Sequence, residues 1–122
     1  MSLLKRLDPN PQFTPRDGVP APDRLIAGTP TFKTWAMDEA LAEAAKWGAI
    51  NSGVWQATPG TTRSIKGDTF EFCHILSGVV EITDADGVMQ RFTAGDSFVM
   101  KPGFVGEWKT IETVQKIYVV AS

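Results

Sequence analysis

The chain has 122 residues, of which 43% are hydrophobic, 10% aromatic and 21% charged, the composition of one ordinary folded domain that needs no disulfide or metal staple. Twelve Lys and Arg against fourteen Asp and Glu leave a formal charge of -2, and without a basic arm or patch to meet phosphates, nucleic acid is not an expected partner. A membrane is not expected either, because the N-terminus lacks an apolar signal core and the uncharged stretch from Trp47 to Thr62 is broken by Gly, Ser, Asn, Gln and Pro, which points to a cytoplasmic protein.

Six of the eight prolines lie in the first thirty residues. Proline lacks an amide donor and holds its predecessor extended, so residues 1–30 are expected to form an extended arm and residues 31–122 a single domain. Leu3, Leu4, Leu7, Phe13, Leu25 and Ile26 make this arm apolar enough to dock on the body or on a neighbouring subunit. The run Asp38-Glu-Ala-Leu-Ala-Glu-Ala-Ala-Lys46, with acids first, Lys last and Gly48 as a stop, predicts the one short helix, between Met37 and Trp47.

Short segments rich in Val, Ile, Phe, Thr and Trp follow, divided by Pro-Gly, Ser-Gly, Asp-Gly and Gly-Asp. They predict strands near 31–36, 50–57, 61–65, 69–76, 79–84, 88–93, 97–101, 104–110 and 113–120. Asp84-Ala-Asp-Gly-Val is the clearest hairpin turn, since Asp-Gly accepts the positive φ of a tight turn between twisted strands. So many short strands without a second helical layer imply a closed or nearly closed antiparallel sandwich or barrel, such as a jelly roll.

Cys73 is the only cysteine and His74 the only histidine. No intrachain disulfide can form, and the usage fits a reducing compartment. One chain with one His cannot assemble a three-His site or a two-His carboxylate site. Strand alternation puts the adjacent Cys73 and His74 on opposite faces, which argues against a thiol-imidazole dyad. No nucleophile elbow, phosphate loop or dinucleotide fingerprint is present.

Two glycine-anchored segments resemble the motifs of the cupins. In the first, Glu71-Phe-Cys-His-Ile-Leu-Ser-Gly78, six residues separate Glu71 from Gly78, as in the first cupin motif. In the second, Gly95-Asp-Ser-Phe-Val-Met-Lys-Pro-Gly103-Phe-Val-Gly-Glu-Trp108, both glycines of the second motif are in place, with Lys101 at its usual proline position and Pro102 one place later. With Gly53-Val-Trp55-Gln-Ala-Thr-Pro-Gly60 upstream, the pattern over roughly 31–120 is similar to that of the ureidoglycine aminohydrolase-type cupins, a group that includes a cupin of ethanolamine utilisation. The resemblance implies an all-β double-stranded β-helix of the jelly-roll kind, usually a homodimer, with a small-molecule pocket in the barrel.

Metal-dependent cupins bind their ion through three motif histidines and the motif-one Glu. At the histidine positions this chain has Ser64, Lys66 and Gly106, and of the four ligands only Glu71 remains. The resemblance therefore implies a pocket with no metal and no cofactor, in which the Lys66 ammonium occupies the vacated space and pairs with Glu71. Glu71 and Cys73 would share one inward strand face and Phe104, Gly106 and Trp108 another, with Trp55 as a further wall. The expected function is binding of a small polar metabolite, with Glu71 as candidate acid/base in a proton-transfer reaction of the isomerase or lyase kind. An aminohydrolase-like enzyme of ureide or nitrogen metabolism is one alternative, and a non-catalytic sensor or scaffold dimer with a filled barrel is another.

Overall fold

The computed structural model describes residues 4–40 and 48–122. Nine strands follow in chain order: β1 (Arg16–Gly18), β2 (Leu25–Gly28), β3 (Phe32–Ala40), β4 (Ile50–Ala57), β5 (Gly60–Ile65), β6 (Phe70–Asp84), β7 (Met89–Thr93), β8 (Ser97–Met100) and β9 (Val105–Ala121). All pairings are antiparallel, and the described residues contain no helix.

The long strands β6 and β9 run side by side from Phe70↔Ala121 to Asp84↔Gly106. On its other side β9 pairs first with β5, Ile65↔Val105 to Gly60↔Thr110, and then with β4, Ala57↔Val114 to Ile50↔Ala121. β6 likewise takes β8 along its first half and β7 along its second. Two leaves result, β1-β3-β4-β9-β6-β8 and β2-β5-β9-β6-β7, which share the bent central pair and curl into the expected all-β jelly roll.

The bend explains why two segments that read as separate strands are one in each case. Between Ile75 and Val80 the β6 register shifts three times against β9, so the chain turns a corner without leaving the ladder. Gly78 is the residue that permits this. Its φ is +86°, and a Cβ there would lie 2.1 Å from the Thr113 carbonyl oxygen, a position closed to any side chain.

Inward parity along β6 and β9 builds the core. Cys73, Ile75, Val80 and Val114 are fully buried, and Ala57, Ile82, Met100 and Trp108 join them in one cluster. At the predicted hairpin, Asp84 Oδ1 accepts from the amides of Asp86 (2.9 Å) and Val88 (3.0 Å), with Gly87 at φ 82°.

The helix expected from Met37 is corrected at its start. Backbone pairing of Asp38↔Ser52, Glu39↔Asn51 and Ala40↔Ile50 continues β3 as a strand past a bulge at Ala36/Asp38, because a free ladder edge on β4 outweighs a modest helix propensity. The rest of the expected helix, residues 41–47, lies outside the described residues.

The Pro-rich arm lies on its own barrel. Trp35 Nε1 donates to the Phe13 carbonyl at 2.9 Å, and Lys33 pairs with Asp17 at 2.9 Å. β1 extends one leaf at β3 and β2 extends the other at β5, so residues 19–24 pass from the edge of one leaf to the edge of the other. No helix among the described residues is long and apolar enough to cross a membrane.

Candidate functional site

A cavity of about 500 Å³ opens between the two leaves. Its inner face follows from register, since residues directly opposite across a ladder point to the same side. One row crosses four strands as Arg16–Thr34–Trp55–Lys116, and another runs Asn51–Val120–Glu71–Met100. All eight residues line the cavity, and from the opposite leaf β5 adds Thr62 and Ser64, followed by Lys66.

At the floor, Glu71 is held between two ammonium groups. Lys66 Nζ donates to Oε1 at 2.6 Å and Lys116 Nζ donates to Oε2 at 2.6 Å. Oε2 also accepts from the Cys73 thiol at 3.1 Å, and Lys116 Nζ lies 3.5 Å from that sulfur. Glu71 and Lys116 are buried, while Lys66 reaches the floor from the edge with 16% of its side chain exposed. Lys116 Nζ also stands over the rings of Trp55 and Trp108, 4.4 and 4.6 Å from their centroids, so the ring quadrupoles help replace the water it has lost. The two rings meet edge to face at 5.5 Å, and Phe32 backs Trp55 at 5.0 Å. Among the described residues every buried side-chain N and O has a hydrogen-bond partner.

This environment sets the protonation states. Burial pushes the Glu71 carboxyl up, but the charges and hydrogen bonds of Lys116 and Lys66 overcome it and hold the group at about 2. Burial pulls the Lys116 ammonium down, and the Glu71 charge more than restores it, so its value lies above that of a free lysine. The expected acid/base role does not suit Glu71: at neutral pH it has no proton to give, and between two ammonium groups it is a weak base.

Cys73 does not reach the cavity. It is fully buried beneath Glu71, and burial, together with the neighbouring carboxylate, pushes its thiol up to about 12. In native protein at pH 8 we expect no reaction with a disulfide reagent such as Ellman's, and one thiol per chain once guanidinium is added. Rapid stoichiometric labelling without denaturant would contradict this burial.

Of the other expected site residues, Trp55, Ser64, Lys66 and Trp108 line the cavity with Glu71. Phe104 does not; it lines a second cavity of about 370 Å³ on the β7–β8 side. Gly106 is buried in the barrel wall, where a Cβ would lie 2.3 Å from the Thr83 carbonyl oxygen and 2.7 Å from the Phe104 ring. The space that a histidine at this position would use is taken by Phe104. His74 faces away from Glu71, its Nδ1 2.7 Å from the Ser97 hydroxyl oxygen on β8.

The donor set does not fit a metal ion. Both Glu71 oxygens are occupied by ammonium groups, position 106 has no room for a side chain, and the described residues contain no group of three or more His, Cys, Asp or Glu able to hold an ion.

At the floor, Lys116 is the residue that sequence reasoning missed; on the walls and rim it also missed Arg16, Arg24, Thr34, Asn51, Thr62 and Arg63. On β9 Lys116 falls between the buried Val114 and Tyr118 at alternate positions. Its parity with these inward residues was the available signal, set against the rule that a strand lysine faces water.

The model of the EutQ-like cupin domain family matches residues 44–118. Among solved structures, the chain is similar to a DUF861 family protein of unknown function from Pseudomonas syringae pv. tomato, at 24% identity and a TM-score of 0.79, covering 93% of this chain and 46% of that one. The chain thus spans about half the length of that relative. A DUF861 family protein from Thermotoga maritima is 34% identical with a TM-score of 0.51, over 53% of this chain and 73% of that one. The EutQ protein of Clostridium difficile shares 18% identity and a TM-score of 0.62, over 85% of this chain and 79% of that one, a likeness of fold. No curated protein matches the chain.

Proposed function

The chain belongs to the EutQ-like cupin domain family, and we propose that it takes a small polar metabolite into its barrel and holds it without a metal ion. The observation that carries this reading is the open cavity of about 500 Å³ that reaches the Lys66–Glu71–Lys116 floor, a size typical of small-molecule sites. Thr34, Asn51, Thr62 and Ser64 supply hydrogen-bonding groups on its walls, and Trp55 and Trp108 supply apolar surface. Lys66 stands at a motif position where other cupins place an imidazole, and with Lys116, which comes from β9, it makes the floor around Glu71 a charge-compensated recognition surface.

Two other readings have less support. A scaffold with a filled barrel would leave no cavity beside Glu71. An aminohydrolase of the ureidoglycine type needs a group to activate water, and neither Glu71, held at about 2, nor Cys73, pushed up to about 12, can take up a proton from water effectively at neutral pH.

Elemental analysis and native mass spectrometry on one sample purified without chelator test the proposal. We expect no stoichiometric transition metal, and a retained organic mass that a Thr34→Trp variant, whose indole fills the cavity, does not carry. Stoichiometric metal that leaves on Glu71→Gln substitution would overturn the reading.

A further inference from the structure

We propose that the metabolite is a small organic carboxylate, and that the N-terminal strap supplies the arginines that grip it. This inference rests on the barrel-ligand reading above and names its ligand class. The cavity is lined by five cationic side chains, Arg16, Arg24, Arg63, Lys66 and Lys116, against the single carboxylate of Glu71. That excess stands out in a chain whose formal charge is -2. The floor itself is not neutral, since two ammonium groups share one carboxylate.

The mouth is less compensated still. Among the described residues Arg16 makes no ion pair, Arg63 makes none although it stands opposite Glu107 in the β5–β9 ladder, and the one ion pair of Arg24, to Asp23, is 4.0 Å long with the Asp23 side chain 82% exposed. Unpaired guanidinium groups at the rim of a low-dielectric cleft attract anions and present the planar fork that matches a carboxylate.

The strap places these groups by backbone pairing. Arg16 sits opposite Thr34 in the β1–β3 ladder, in the row that continues to Trp55 and Lys116. Arg24 is fixed at the other leaf, where its carbonyl accepts from the Arg63 amide at 2.7 Å. Val19, Pro20 and Ala21, which join the two, also line the cavity. The strap therefore spans the mouth with an arginine at each end, while the walls of Trp55 and Trp108 suit an apolar body attached to the acid.

Equilibrium dialysis of the full chain against a defined mixture of benzoate, phthalate, citrate, glucose 6-phosphate, benzamide, glucose and benzylamine tests this, with bound species read by mass spectrometry. The wild type should enrich a carboxylate over benzamide and benzylamine by about tenfold or more. The Arg16→Gln/Arg24→Gln double variant should lose about tenfold of that enrichment with an unchanged urea midpoint, and added salt should weaken it in the wild type. Preferential enrichment of benzamide, glucose or benzylamine would overturn the carboxylate class and leave the barrel-ligand reading standing, as would enrichment of glucose 6-phosphate alone. Equal carboxylate enrichment by the double variant would overturn the role of the strap. No enrichment of any member would overturn this inference, whereas the barrel-ligand reading falls only if the native mass spectrum also lacks a retained organic mass.

Discussion

Replacing Lys116 by Met is expected to lower the unfolding free energy by about 3–5 kcal/mol, the largest effect of any single side-chain truncation at the site. The substitution keeps most of the aliphatic stem but removes one of the two ammonium groups on a buried carboxylate. Glu71 Oε2 would keep only the Cys73 thiol, and the rings of Trp55 and Trp108 would lose the cation 4.4 and 4.6 Å from their centroids. The cost is mainly that of a buried charge left without its partner, which sets a second expectation. In a Glu71→Gln/Lys116→Met double variant that charge is gone, and at least half of the lost stability should return.

Lys66→Met should cost less, because the Lys66 side chain is 16% exposed against 7% for Lys116, and water can replace part of what is removed. Urea unfolding followed by tryptophan fluorescence measures all three variants. A loss below about 1 kcal/mol in Lys116→Met, within the range of exposed pairs, would mean that the ammonium does not sit in this buried contact.

The contrast between Glu71 and Lys116 shows what a single sequence makes legible. Glu71 stands at a fixed distance from Gly78, and the register shifts around Gly78 give that spacing its physical reason: the carboxylate must sit a set number of residues before the corner that turns β6 from one leaf to the other. Lys116 has no such anchor. Its inward face depends on ladders from Trp55↔Lys116 on one side and Ile75↔Lys116 on the other, contacts that join residues far apart in the chain. The same reasoning separates the strands. Val- and Ile-rich segments between turn dipeptides were readable, whereas β1 and β2 are exposed along their whole length and exist because β3 and β5 offer free edges. An arm of this composition carries no apolar alternation to signal its pairing, so the arginines it brings to the cavity mouth could not be placed from sequence.

Stability should fall by about 3 kcal/mol through the Glu71 site alone as the pH drops from about 5 to below 2. The folded-state carboxyl lies at about 2 against an ordinary value of 4.5, so the unfolded chain takes up this proton first. A group lowered in the folded state contributes its full stabilisation above the unfolded value, and that contribution is lost as the pH falls through the folded one. Lys116 gives the mirror case. Raised above its ordinary 10.5 by the same contact, it contributes fully below that value and loses the contribution only as the pH climbs past the folded one. The pair thus contributes its full stabilisation between about pH 5 and pH 10, and acid is the accessible side from which to remove it. Other carboxylates also titrate in this range, so the informative quantity is the difference in acid slope between the wild type and Glu71→Gln. Glutamine cannot take up the proton, and the variant, less stable at pH 7, should show the shallower decline toward pH 2. Parallel declines in the two proteins would place Glu71 at an ordinary carboxylate value and remove the electrostatic account of the floor.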